Sequence, residues 1–203
     1  MRTVKITRTR VGKKALAEAR RVLLAGEVLV FPTETAYGLA ADPRSAHAVR
    51  EVFSIKGRSR RKPLPFIAAA YADVAKHFLL AGKAAKNARA HWPGPLTVVL
   101  PFKKGSVIAK VSGQKFGAVR VPGSAWARAV ARAAGGIVTS TSANVSGDSA
   151  IYGASKVIAA FRGRRHVPSV VLDAGTLPQR PPSTIVRFEK EKVIVLRQGS
   201  VKI

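Results

Sequence analysis

The stretch Glu27-Val-Leu-Val-Phe31 runs straight into Pro32-Thr-Glu-Thr-Ala-Tyr-Gly-Leu39. The first five residues form a short apolar, β-branched run stopped by a proline, the pattern of a buried strand that feeds a loop. The loop is expected from Pro32 to Asp42. Upstream, Val11 to Ala25 places Leu16, Ala19, Val22 and Leu23 on one helical stripe, and Gly26 supplies the stop. Downstream, Ser45 is an N-cap for a helix through Ile55 that turns Val49, Val52 and Phe53 to one side and delivers Lys56-Gly57-Arg58 at its end.

The same alternation continues along the chain. Leu64 to Ala70 reads as a strand, with helices over Tyr71 to Leu80 and Lys83 to His91, the latter ended by Pro93-Gly94-Pro95. Further strands are expected at Leu96–Leu100, Ala118–Val121, Ile137–Thr141, Val170–Leu172, Thr184–Phe188 and Val193–Leu196. Helices are expected at Ser124–Ala134 and Ala154–Phe161. About eight strands, neither in strict βαβ repetition nor in successive hairpins, predict an α/β fold with an open, twisted, mixed sheet and flanking helices. No repeat and no linker interrupts it, so 1–203 is expected to form a single domain.

Composition narrows the function. The 203 residues include 36 Lys plus Arg and 10 Asp plus Glu, a formal charge of +26, with 47% apolar and 6% aromatic residues. That apolar content suffices for an ordinary core and excludes global disorder. The absence of cysteine excludes disulfides, thiolate metal sites and cysteine nucleophiles. Acidic residues are too few for a carboxylate cage, and the spacing of His47, His77, His91 and His166 suits no metal, so no protein-bound metal is expected. Trp92 and Trp126 are expected to serve packing. No apolar run reaches the ~18–20 residues of a membrane span, and the basic N-terminus is not followed by a hydrophobic leader segment. The expectation is a cytoplasmic protein without membrane association. So basic a surface attracts RNA by electrostatics alone, although the cations are spread through periodic segments and not gathered in a low-complexity tail.

Two loops invite chemical interpretation. Lys56 to Lys62 holds five cations in seven positions around Gly57, a way to bind triphosphate and equally a solvated basic loop or an RNA contact. Thr139-Ser-Thr-Ser-Ala-Asn144-Val-Ser-Gly147 follows a strand with hydroxyls, an amide and a glycine, suited to a nucleotide or to a capped turn. Neither is a Walker A or dinucleotide-binding glycine motif.

Pro32-Thr-Glu-Thr-Ala-Tyr-Gly-Leu39 resembles the PTET-x-YGL signature of the YrdC family. Other family blocks follow in order: Lys56-Gly-Arg58, Trp92-Pro-Gly-Pro-Leu-Thr97, Ala118-Val-Arg-Val-Pro122, Thr141-Ser-Ala-Asn-Val-Ser-Gly147, Pro182-Ser-Thr-Ile-Val186 and Leu196-Arg-Gln-Gly199. The resemblance spans nearly the whole chain and is greatest to the short, single-domain bacterial members, since the sequence ends just after the Arg-Gln-Gly block. It implies an open twisted α/β sheet around a large basic concavity. It also implies a nucleotidyltransfer reaction in which L-threonine, bicarbonate and ATP give L-threonylcarbamoyladenylate, pyrophosphate and water. Downstream threonylcarbamoyl-transfer proteins would pass the group to tRNA beside the anticodon.

Site residues implied by the motifs are Arg58 and Lys62 with Lys56 for the triphosphate, Ser142 and Asn144 for the nucleotide or phosphates, and Arg197 to complete the ATP site. Thr35, Arg120, Ser140 and Ser183 would hold threonine, Arg120 clamping its carboxylate, and Thr33 and Tyr37 would shape that pocket. Lys56, Arg58 and Arg120 are the implied catalytic set, and Mg2+ would be carried by the phosphates. Ser59 stands where relatives often have proline, Arg60-Arg61 makes the loop more basic, Ile67 replaces a histidine of some relatives, and Arg187 replaces a frequent aspartate. An RNA- or ribosome-binding protein of the same fold, without ATP turnover, is the alternative that the charge supports. A carbamoyl transferase of metallocentre maturation would come in a much larger chain.

Overall fold

A computed structural model describes residues 1–60, 62–189 and 192–203. Arg61, one of the five cations of the basic loop, lies outside them. Strand β1 (Arg2–Lys5) leads to helix α1 (Lys13–Leu24), then β2 (Leu29–Pro32), β3 (Tyr37–Ala40), α2 (Ala46–Lys56), β4 (Phe66–Ala68), α3 (Tyr71–His77), α4 (Gly82–His91) and β5 (Leu96–Pro101). There follow α5 (Val107–Ser112), β6 (Phe116–Arg120), α6 (Ala125–Ala133), β7 (Ile137–Thr139), β8 (Thr141–Ser142), α7 (Ala154–Phe161), β9 (Val170–Asp173), β10 (Thr184–Glu189) and β11 (Lys192–Arg197).

The mixed α/β architecture expected from the pattern is present, divided between two mixed sheets. One runs β1-β9-β2-β3-β8 and the other β11-β10-β5-β6-β4-β7. Residues expected as one strand, Ile137 to Thr141, break at Ser140. Before the break, β7 lies antiparallel to β4, with Thr139 opposite Phe66. After it, β8 lies antiparallel to β3, with Thr141 opposite Leu39. The same few residues therefore belong to both sheets.

Local chemistry accounts for most element ends. Helix α1 buries Ala15, Ala19, Val22 and Leu23, a stripe whose small residues let the helix lie close to its neighbours. Gly26 at φ +74° ends it, with its N–H and that of Glu27 returning to Leu23 and Val22 carbonyls. In α2 the Ser45 hydroxyl caps the Ala48 N–H at 3.2 Å, and Gly57 at φ +59° stops the helix, so that Arg58 leaves it in a fixed direction.

The expected loop from Pro32 to Asp42 is instead a tight hairpin. Pro32 pairs with Tyr37, and β3 returns along β2. Helix α3 ends at His77 and not at Leu80, because Phe78 turns extended, is fully buried and bridges to Phe102.

Three cores result. Helices α1 and α6 cover one face of the five-stranded sheet with Leu29, Phe31 and Leu172, reaching Ile67 and Val138 of the other sheet. Helices α2 and α7 cover its opposite face with Val30, Leu39 and Val171. On the six-stranded sheet, Leu96, Val98, Leu100, Val119 and Val186 face a third core that holds Phe66, Phe78 and Phe102. Strand alternation sends the intervening residues the other way, so Thr97, Val99, Ala118, Arg120 and Ile185 line a cleft. Trp126 is fully buried, its indole N–H donating to Thr7 O at 2.7 Å, and the Trp92 indole donates to Leu96 O.

Within β6, Gly117 lies against the three phenylalanines. A methyl group there would meet Phe102 and Phe78 ring carbons at 2.8 Å and Phe66 at 3.0 Å. Gly117→Ala should lower unfolding free energy by about 1–3 kcal/mol through overpacking, measured by denaturant titration with unchanged m-value.

Candidate functional site

The cleft, of about 560 Å3, opens between the two sheets. One wall is the β2–β3 hairpin with β8, and the other comes from β4, β5, β6, β10 and β11. Nine of the residues implied by motif line it: Thr33, Thr35, Tyr37, Arg58, Arg120, Ser140, Ser142, Ser183 and Arg197. They come from points 164 residues apart (197 − 33) and are brought together by the strand switch at Ser140. Ile67 lines the cleft as well, where it adds an apolar surface.

The hairpin turn is closed by its own hydroxyl. Thr33 Oγ1 donates to Ala36 O at 2.7 Å and accepts from the Thr35 and Ala36 N–H groups at 3.1 and 3.2 Å. Thr33 thereby shapes the turn and presents Thr35. The Tyr37 hydroxyl donates to Gly175 O at 2.8 Å and accepts from Ala174 N at 2.9 Å, which ties the hairpin to the end of β9. Burial pushes its pKa up to about 12, so the phenol stays protonated.

Arg58, Arg120, Arg180 and Arg197 give the described part of the cleft lining four guanidinium groups. Arg58 spans the start of its loop, donating to Lys62 O at 3.4 Å and Pro63 O at 3.0 Å. Arg197 donates to Ser183 O from Nε at 3.1 Å and from Nη2 at 2.8 Å, and to Ser183 Oγ at 3.0 Å. Ser183 Oγ in turn contacts Thr97 Oγ1 at 2.8 Å. Arg120 pairs through Nη1 with Glu34 Oε1. Burial lowers the pKa of all three, and Arg120 lowers that of Arg197 further, as expected for two cations sharing one side of a cleft.

Three implied residues fall outside this lining. Lys62 is exposed. Lys56 is 2% exposed and its ammonium donates to Ser142 O at 2.6 Å and Asn144 O at 2.9 Å. Asn144 is also buried, its amide donating to Val145 O at 2.8 Å and Asp148 O at 2.7 Å, with no partner for Oδ1 among the described residues. Lys56 and Asn144 stand behind the cleft and set the backbone on which Ser142 is mounted.

Reading by motif missed Glu34, the carboxylate partner of Arg120. Its signal was present, a lone acid inside Thr33-Glu34-Thr35 in a chain with only ten carboxylates. Thr97, Arg180 and Tyr152 also line the cleft unannounced. Arg187, in the place of a frequent aspartate, pairs along its own strand with Glu189 at 2.5 Å. No histidine lines the cleft, and no group of three or more His, Asp or Glu among the described residues could hold a metal ion. No helix among the described residues is long and apolar enough to cross a membrane.

Desolvation lowers the Lys56 pKa from 10.5 to about 8, with Arg58 adding to the shift and Asp148 opposing it. The unfolded chain therefore holds more protons than the folded one between pH 8 and 10.5, and the wild type should gain stability across that window. Lys56→Met leaves two carbonyls without their donor and should cost about 1–3 kcal/mol at neutral pH. The deficit should widen as pH rises from 8 to 10, read by chemical denaturation at each pH.

The Sua5/YciO/YrdC family model, described as "Telomere recombination", matches residues 21–199. The chain is 35% identical to the threonylcarbamoyl-AMP synthase of Idiomarina loihiensis over 143 residues, 69% of this chain and 77% of that protein. It is 31% identical to that of Bacillus subtilis over 191 residues, 92% of this chain and 54% of that protein. The crystal structure of P. abyssi Sua5 complexed with L-threonine matches with a TM-score of 0.87 at 28% identity, over 98% of this chain and 58% of that one. The chain thus spans just over half the length of the last two proteins.

Proposed function

The chain belongs to the Sua5/YciO/YrdC family, and from that premise we propose that it is an L-threonylcarbamoyladenylate synthase serving tRNA modification. The observation that carries this reading is the joining, in one cleft, of a hydroxyl-rich hairpin and the Arg120–Ser183–Arg197 group with Arg58 and Ser142. The hairpin hydroxyls with Arg120 and Ser183 suit an amino acid, and Arg58, Arg197 and Ser142 suit a triphosphate.

Threonine's neutral amine attacks the carbon of bicarbonate, and loss of water gives a carbamate. A carbamate oxygen then bonds to the α-phosphorus as the bond to the bridging oxygen breaks and pyrophosphate leaves. Such a transfer needs alignment and charge neutralisation more than a protein nucleophile. Arg58 and Arg197 neutralise phosphate oxygens, with Ser142 as a further donor. Arg120 takes the threonine carboxylate, and Thr35, Ser140 and Ser183 offer hydroxyls to the rest of the amino acid. Lys56 and Asn144 act through the Ser142–Asn144 backbone, and Lys62 meets phosphates from the cleft's outer edge. The lining offers cations and hydroxyls and no carboxylate among the described residues, so a divalent cation such as Mg2+ would arrive on the ATP phosphates as part of the substrate.

The product would pass to threonylcarbamoyl-transfer proteins acting on tRNA beside the anticodon, in the cytoplasm. The +26 charge supports a second reading, RNA binding without turnover.

Pyrophosphate release from ATP decides between them. Release should require L-threonine, bicarbonate and Mg2+ together. No release under any combination, with salt-sensitive tRNA binding intact, would favour the RNA-binding reading. Within the enzyme reading, Arg120→Lys keeps the charge beside Glu34 and loses the guanidinium fork. It should raise the threonine KM roughly 10-fold or more, because hydrogen bonds between charged groups are worth about 1.5–3 kcal/mol. Arg58→Ala should raise the ATP KM and leave the threonine KM near its wild-type value.

A further inference from the structure

A cleft lined by Arg58, Arg120, Arg180 and Arg197 poses a problem of selectivity. A triphosphate and an amino-acid carboxylate are both anions, and a polyanion would win every guanidinium left to itself. Arg120 differs from two of its neighbours in its partner. Arg58 and Arg197 give their hydrogens to backbone carbonyls and a serine hydroxyl, neutral acceptors that leave the positive charge in place. Arg120 is paired with a carboxylate.

That carboxylate is itself pinned. The Glu34 side chain is 13% exposed and is absent from the cleft lining, although Thr33 and Thr35 on either side belong to it. Oε1 accepts from Gly123 N–H at 3.2 Å and Oε2 from Ser124 N–H at 3.4 Å, the turn that starts α6. Arg120 Nη1 is used by Glu34, whereas Nε and Nη2 make no hydrogen bond among the described residues.

We propose that Glu34 is a positioning residue that divides the cleft: it holds and neutralises Arg120 so that one guanidinium edge is offered to a single carboxylate and phosphate is kept out of that half. The identity of that carboxylate as threonine's rests on the synthase reading above. The exclusion of phosphate does not. The depressed pKa of Arg197, to which Arg120 contributes, agrees with the two cations being close enough for an intervening polyanion to bridge them if Glu34 were neutral.

Inorganic phosphate is the probe. Its binding stoichiometry is measured by calorimetry on wild type, Glu34→Gln and the double variant Glu34→Gln/Arg120→Gln, with pyrophosphate release followed in parallel. Glu34→Gln should gain a phosphate site that the double variant lacks. Its threonine KM should rise about 10-fold with kcat and the ATP KM nearly unchanged, and phosphate should become competitive with threonine. A folded Glu34→Gln with wild-type phosphate stoichiometry overturns the proposal. Glu34→Asp keeps the charge on a shorter arm and should show weakened threonine binding without the added phosphate site. Should Glu34→Gln fail to fold, unchanged threonine affinity in Glu34→Asp overturns the proposal just as well. If the wild type shows no threonine-dependent release at all, the synthase reading fails, and the phosphate titration still decides the role of Glu34.

Discussion

The change of sheet at Ser140 is the constraint on which the rest of the structure depends. Thr139 pairs in one sheet and Thr141 in the other, so a single residue fixes how the two sheets meet. Backbone N–H groups on both sides of the break find partners in different segments. Thr139 donates to Ala41 O at 3.0 Å, Ser140 to Pro65 O at 2.8 Å and Ala143 to Tyr37 O at 2.8 Å. A segment so satisfied has no room to slide, because a slip of one residue would exchange cleft-facing and core-facing side chains and orphan buried donors. The cleft is the gap that this junction leaves between the sheets, and its hydroxyl-bearing floor is the junction itself.

Charge scarcity shapes the same region. Ten carboxylates cannot pair with 36 cations, and apart from Arg120, which pairs with Glu34, several basic side chains in and around the cleft turn to backbone oxygen instead. Lys56 holds Ser142 O and Asn144 O, Arg58 holds Lys62 O and Pro63 O, Arg197 holds Ser183 O, and Arg128 holds Pro122 O and Gly123 O at 2.7 and 2.8 Å. Carbonyl acceptors orient a cation without cancelling it. Each such bond therefore stiffens a loop and leaves its charge available to the cleft, where low-dielectric walls concentrate the field. The burial cost is visible in the lowered pKa values of Lys56, Arg58 and Arg197, and a bound polyanion would relieve it.

Legibility in the sequence followed burial and period. Helices with an apolar stripe, such as Ala46–Lys56 behind its Ser45 cap and the shorter Ala154–Phe161 with Val157 and Phe161 buried, were readable to within a residue or two. So were the apolar strands of the six-stranded sheet. Strand β1 was not, because three of its four residues are exposed and its pairing with β9 is a long-range event with no local pattern. Helix α5 buries only Ile108 in one and a half turns, too little for a period to show. Strand β3 was hidden because all four of its residues are buried, which removes the alternation that marks a half-exposed strand. At the site, ordered motif blocks pointed to most of the lining. They gave no sign that Lys56 and Asn144 would face backbone and not ligand, since a motif records which residues are present and not which way they turn. The lone acid between Thr33 and Thr35 marked Glu34 as unusual, but its pairing with Arg120 joins residues 86 apart in sequence, so the partner itself had no local signal.

The blocks Pro182-Ser-Thr and Arg197-Gln-Gly, separate in sequence, are one device. Thr184 is fully buried, and its single hydroxyl donates to Val201 O at 2.6 Å while accepting from Gly199 N–H at 3.0 Å and Val201 N–H at 3.1 Å. Ser200 N–H returns to Pro182 O at 3.2 Å. The tail after β11 is thus strapped across the residues just before β10. At Gly199 the approach is so close that a Cβ would lie 2.1 Å from Pro182 O and 2.5 Å from Thr184 N, which leaves glycine as the residue that fits. The strap fixes Ser183 relative to Arg197, the pair that shares the carbonyl and hydroxyl contacts at the cleft wall. Neither the glycine nor the threonine belongs to the cleft lining, yet the position of the guanidinium that faces the cleft follows from the distance they enforce between two chain segments. Strand β11 lies at the sheet edge with a neighbour on one side only; here the strap supplies the constraint that a second neighbouring strand provides elsewhere, and it holds a cation at the rim of the cleft.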